Sequence, residues 1–282
     1  MSSLCRVLLI VAIAAPGCFF EPSRPGAATD ANRDGNADAA KDGAPDTSPV
    51  AHKLADAYYS SQGVSNGMTQ TGYSVAIPTI PDGELVLFLA NVDNGSNSVW
   101  VLPPGFHQLH QIRFGNDGQT FIAGWKIASG ETSPYAETYG NGIVSGNAVI
   151  TIIGVTGADA TTPIENSAYT LGTDNQQSPA MLGTNGVATT RPDSLLIFAG
   201  GVDWDQPDPL ANATFTEPPG FTLLDELSDS GGVSFDWTTL MVSSMEVAVP
   251  GPAVAKTATV ASNPVRPGTP WTVEIAIAPP GT

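Results

Sequence analysis

The sequence predicts an all-β protein: a two-sheet β-sandwich, jelly-roll-like, made from two diverged repeats of about 110 residues. Three observations lead there. Apolar residues recur with period two. Phe121, Ala123, Trp125 and Ile127 share one face of "TFIAGWKI". Trp271, Val273, Ile275 and Ile277 share one face of "WTVEIAIA", with Thr272 and Glu274 opposite, and Tyr73, Val75 and Ile77 alternate likewise. Turn formers are dense, at 30 Gly and 24 Pro, and no stretch joins a helical apolar stripe to caps. Finally, one set of landmarks occurs twice in the same order.

The chain opens "MSSLCRVLLIVAIAAPGCFF". Arg6 supplies a positive start, and Val7 to Ala15 is an apolar run fit for an export signal but too short to span a membrane. Ala15-Pro16-Gly17-Cys18 resembles a bacterial lipobox, with Pro16 and Ala15 as departures from the usual pattern. The expectation is a signal over 1–17 and a lipid anchor on Cys18; an ordinary signal peptide is the alternative. Phe19 follows Cys18, so an Asp-type inner-membrane retention signal is missing, which points to the outer membrane or cell surface. Cys5 lies inside the signal, so residues beyond 18 carry no thiol and no disulfide, and packing must hold the fold.

Residues 18–57 read as an acidic, disordered tether, because "EPSRPGAATDANRDGNADAAKDGAPDTSP" has almost no large apolar residue to offset its ordering entropy. Within it, Asp30, Asn32, Asp34, Gly35 and Asp38 are spaced like the start of a calcium loop. The twelfth position is Lys41 where a bidentate Glu is needed, so solvated linker is the better reading. The formal net charge is −17, and 20 of the 27 acids lie beyond residue 57, against five of the ten bases. This balance disfavours nucleic acid as a partner, and none is expected, since binding it needs clustered Lys and Arg.

The folded part is expected over 58–282, with repeats at about 68–157 and 178–282. "PDGELVLFLANVD" (81–93) and "PDSLLIFAGGVD" (192–203) each begin Pro-Asp, carry Phe88 or Phe198 in an apolar run, and end Val-Asp. "PPGF" follows both, at 103–106 and 218–221. Next come "TFIAGWKIAS" and "WTTLMVSS", and last "NAVITIIGV" and "WTVEIAIAP". "ELVLFLA" and "LLIFAG" are apolar on both faces, as in mid-sheet strands. Ten to twelve strands are expected in all. In "PPGF" the prolines leave the ladder, the glycine turns the chain and the phenylalanine enters the core; a ligand platform is the alternative.

"GELVLFLANVD…VWVLPPGFHQLHQIRF…FIAGWKIASGE", with the terminal Trp271–Pro279 stretch, resembles a recurrent bacterial extracellular β-sandwich with repeated PP(A)G(W/F) motifs, also found in phage and surface proteins. The resemblance spans about residues 60 to 282. Gly83-Glu84 replaces its Gly-Asp, and Phe106 its usual Trp. It implies fold and location and no activity.

Little in the chain suggests chemistry. His107 and His110 differ by an odd number, so on a strand they are expected on opposite faces, away from joint metal binding. There is no Gly-x-Ser-x-Gly elbow and no phosphate-cradling glycine motif before a helix. Paired carboxylates for glycan cleavage are a matter of spatial separation and stay open. The densest cluster is "GGVDWDQPD", where Asp203, Asp205 and Asp208 could hold Ca²⁺ and Trp204 could stack on a sugar; an acidic surface loop is the alternative. No other cofactor is expected. The functional expectation is a non-catalytic, surface-anchored lipoprotein for binding or adhesion to a glycan or surface protein. A glycan hydrolase or lyase, or a purely structural envelope protein, is the alternative.

Overall fold

The computed structural model describes residues 48–59, 70–93, 100–114, 119–143, 147–173, 178–204, 212–228, 237–263 and 268–281. The signal, Cys18 and the calcium-like stretch of the tether lie outside them. Ala44–Thr282 forms one compact unit.

The protein is all-β, in antiparallel sheets. The first half runs β1 (Val50–Tyr59), β2 (Gln70–Val75), β3 (Leu85–Asp93), β4 (Trp100–Val101), β5 (His107–Phe114), β6 (Gln119–Ile127), β7 (Tyr135–Ile143) and β8 (Asn147–Thr156). The second runs β9 (Ile164–Leu171), β10 (Ala180–Thr184), β11 (Ser194–Trp204), β12 (Asn212–Thr216), β13 (Thr222–Ser228), β14 (Trp237–Val247), β15 (Lys256–Asn263) and β16 (Thr269–Ile277). The large sheet of the first half is ordered β1-β8-β3-β6-β5 and its small sheet β2-β7-β4. The second half repeats both orders, as β9-β16-β11-β14-β13 and β10-β15-β12. Each half is therefore a jelly-roll winding in which the fifth strand stays with its hairpin partner in the large sheet.

The sandwich is present, with four sheets instead of two, because each repeat brings its own pair. The folded part also starts earlier than residue 58. β1 begins at Val50 and pairs along β8, so His52 and Lys53 belong to a sheet and not to a tether. β9 likewise puts the second repeat's start ahead of 178. Both are edge strands with mixed polar sequences, "VAHKLADAYY" and "IENSAYTL", which give no clean alternation.

Three apolar clusters fix the layering. Leu85, Leu87 and Leu89 of β3 pack with Leu195, Ile197 and Ala199 of β11, so the two large sheets lie face to face. Val86, Phe88 and Ala90 turn the other way, onto Tyr73, Val75 and Tyr135 of the first small sheet. Leu196 and Phe198 turn onto Leu182, Ala258 and Val260 of the second. The layers run small, large, large, small. Between the large sheets Phe121 stacks on Trp271 across the halves, with centroids 4.7 Å apart and planes 3° from parallel.

The seam between the halves carries two related polar links. A bulge separates Gln108 from His110 on β5, and another separates Leu223 from Asp225 on β13. Each following residue reaches the far half's edge strand. His110 Nε2 lies 3.0 Å from Ser167 Oγ. Asp225 accepts from Lys53 Nζ at 3.1 Å and from Thr151 Oγ1 at 2.8 Å. Lys53 pairs with Ile153 and Ser167 with Ile275, which are matching positions of β8 and β16. One pair of positions thus holds a neutral contact on one side and a charged one on the other.

Truncating Trp271 to Ala should cost about 3–5 kcal/mol by denaturant unfolding, since it removes a fully buried indole and its stacking on Phe121. Asp225→Ala should cost about 1–3 kcal/mol, with a non-zero coupling to Thr151→Val in a double-mutant cycle.

Candidate functional site

The two PPGF segments form the same turn. Phe106 N–H donates to the Pro103 carbonyl at 3.2 Å and Phe221 N–H to that of Pro218 at 3.1 Å, while Gly105 and Gly220 have φ of 84° and 86°. A proline second and a positive-φ glycine third make a type II turn. Phe106 then meets Phe88 edge-on at 5.9 Å, and Phe221 meets Phe198 edge-on at 6.1 Å. Both phenylalanines pack into the core.

What surrounds each turn differs, and strand register identifies the exchanged residues. Val86 faces Lys126 where Leu196 faces Met245. Phe88 faces Ile152 where Phe198 faces Glu274. Val75 faces Tyr135 where Thr184 faces Lys256. In the first half, Tyr135 packs edge-on against Phe106 at 5.3 Å, and Lys126 Nζ sits 4.7 Å from the Tyr135 ring centre. Glu131 completes the plug: it pairs with Lys126 at 2.5 Å and accepts from Tyr135 Oη at 2.6 Å and from Ser129 N–H at 3.0 Å. Burial opposes ionisation of Glu131, but these hydrogen bonds outweigh it and hold its carboxyl below the usual range.

In the second half the corresponding place is a hollow of about 650 Å³. Leu196, Met245 and Val247 form the floor, Pro218 and Pro219 one wall, and Val254 and Lys256 another. The connecting loop, "AVPGPAVA" over 248–255, is wholly apolar, and it leaves Val249 75% and Val254 60% exposed. Reciprocal backbone hydrogen bonds between Thr189 and Gly251, at 3.1 and 3.2 Å, pin this loop across the hollow. Gly186, at φ 82°, allows its close approach: a Cβ there would stand 2.2 Å from the Val254 carbonyl oxygen.

Lys256 is drawn inward. Its Nζ lies 2.6 Å from Glu274 Oε1, and Glu274 is completely buried where the first half has Ile152. Burial raises the Glu274 carboxyl, opposed by Lys256, Thr184 and the Val187 N–H. The ammonium is consumed by this pair and by the Val254 carbonyl at 3.1 Å. Charge is present in the wall but is already neutralised.

No family model, curated protein or solved structure matches the chain.

The residues singled out from sequence lie elsewhere. Asp203 and Trp204 close β11, with their backbones opposite Thr238 and Trp237; their side chains, and all of Asp205 and Asp208, are outside the described residues. At that end the inter-sheet core turns polar, where Asn91, Gln119 and Thr238 are buried between the halves. Among the described residues no three His, Cys, Asp or Glu side chains converge as a metal centre would need. His107 and His110 do not fall on opposite faces. The bulge sets His107 opposite Trp125 and His110 opposite Ala123, which share a face. The residues of the hollow escaped notice because Glu274 alternates with apolar neighbours and so reads as solvent-facing, whereas both faces of β16 are buried. The apolar loop over 248–255 was the legible signal.

Glu131→Gln should lower stability by about 1.5–3 kcal/mol at neutral pH. Because the folded-state carboxyl is depressed, its contribution is full above the unfolded value and lost as pH falls through the folded one. The difference between variant and parent should therefore shrink toward zero in urea titrations near pH 3.

Proposed function

We propose that the protein is a non-catalytic binding module, carried to the cell surface by a lipid anchor on Cys18, and that the hollow of the second half is its contact site. The observation that carries this reading is the asymmetry between the repeats. One topology encloses a Tyr135–Lys126–Glu131 plug in one half and an open apolar hollow in the other. A concave, mostly apolar site with a few fixed polar groups suits ligand binding. Lys256 is engaged by Glu274, and Thr189 by Gly251, so the polar groups in the wall are committed to holding it in shape. Adhesion to a protein or other apolar-bearing partner fits this surface better than a sugar platform does, because the described wall is aliphatic and proline-rich.

Nile red, a neutral probe of apolar sites, should bind Ala44–Thr282 with a blue-shifted emission. Val254→Asp should weaken that binding about tenfold without lowering the melting temperature, since Val254 is exposed. Equal binding by the two proteins would remove the hollow as the site. For the anchor, Cys18→Ser should move the exported protein from the detergent phase to the aqueous phase of a Triton X-114 partition. A variant still in the detergent phase would overturn the anchor.

A further inference from the structure

The geometry points to an aromatic side chain, presented by a cationic segment of a partner protein, as the occupant of the hollow beneath Pro218 and Pro219. This rests on the reading of that hollow as a binding site, and it names what fits. The molecule contains its own template. In the first half the corresponding place beside the PPG turn is filled by the Tyr135 ring, edge-on to Phe106 and under the Lys126 ammonium. In the second half the turn, the edge-on phenylalanine and the strand register persist, but the ring is gone. Lys256 stands at its position and is pulled toward Glu274, which replaces Ile152.

The walls left behind suit an aromatic ring. Met245, at the position of Lys126, offers a thioether to a ring edge. Proline faces and the Val247 and Val254 methyls close the sides. A linear aliphatic chain would gain apolar burial here but not the sulfur–ring contact. The partner's charge follows from the acidity of the chain around the hollow. Glu217 precedes the Pro218 wall. Glu246, between Met245 and Val247 on β14, faces the opposite side of the sheet with Leu195, toward a separate hollow of about 440 Å³. Glu217 makes no ion pair among the described residues. With Lys256 already neutralised and a chain charge of −17, a basic segment is attracted and an acidic one repelled.

The test uses three tripeptides, Arg-Tyr-Arg, Arg-Leu-Arg and Glu-Tyr-Glu, titrated into Ala44–Thr282 and followed by NMR at the Met245 and Val254 methyls. Arg-Tyr-Arg should bind about fivefold more tightly than Arg-Leu-Arg. It should weaken as salt rises, and Glu-Tyr-Glu should give no shift. Tyrosine ring protons should show intermolecular NOEs to the Met245 methyl. Grafting the first-half residues, as Met245→Lys with Lys256→Tyr and Glu274→Ile, should abolish binding of both peptide and Nile red in a protein that still gives a dispersed spectrum. If the graft does not fold, the NOEs decide the placement alone. Equal binding of the Tyr and Leu peptides, no binding of either, or NOEs elsewhere would overturn the aromatic occupant. Nile red binding that persists alongside such a result would leave the hollow as a site for another apolar ligand; loss of both signals would end both readings.

Discussion

Leu85 and Val86 are neighbours on one strand, point to opposite faces of the same sheet, and are both withdrawn from water. A sheet that is apolar on both faces has to be covered twice. One cover comes from the small sheet of the same repeat and the other from the large sheet of the second repeat. Neither repeat can satisfy its central strands alone, because half of the apolar surface of β3 or β11 would then meet solvent. The four-layer order, the stacking of Phe121 on Trp271 and the polar links along the seam all follow from closing that second face.

Once the second face is closed, the outer layers are free to diverge. The seam-facing positions in the middle of β3 and β11 stay apolar in both repeats, as Leu87 and Ile197 illustrate. The opposite faces differ more. Exchanging Ile152 for Glu274 places a carboxylate in a core, and that carboxylate needs a counter-charge. Lys256 supplies it from the position where the other repeat has Tyr135. The buried carboxylate, the inward cation and the missing ring occur together in one repeat, and the hollow lies beside them. An apolar loop then spans the opening in place of the "ASGETSP" that carries Glu131.

Much of this was legible in the sequence. The repeat, the all-β class and the double-sided burial of "ELVLFLA" and "LLIFAG" could be read from spacing and hydropathy. The job of PPGF as a turn that feeds a core aromatic followed from proline and glycine chemistry alone. Other features could not be read. β1 and β9 are edge strands, half solvated, whose polar residues contact the other repeat; their pattern follows tertiary neighbours and not a simple alternation. The parity of His107 and His110 failed because a bulge adds a residue without altering composition. Glu274 looked solvent-facing because a sequence cannot say whether a sheet is covered once or twice. Asp203 and Trp204 were expected in a loop after a buried strand and instead form the last two residues of β11; Asp205 and Asp208 lie outside the described residues.

The seam also bears on stoichiometry and dilution. Two separate jelly rolls held by the same faces would form a dimer whose integrity depends on concentration, and which would carry two copies of any surface feature. Here Ala158 to Pro163 join the halves, and Asp159 fastens the joint by accepting from Arg191 at 2.6 Å and from the Thr161 and Thr162 N–H groups at 2.8 and 3.0 Å. The pairing is therefore intramolecular and indifferent to dilution. The covalent join also releases the two halves from having to be identical, so one repeat can hold the Tyr135–Lys126–Glu131 plug while the other holds the hollow.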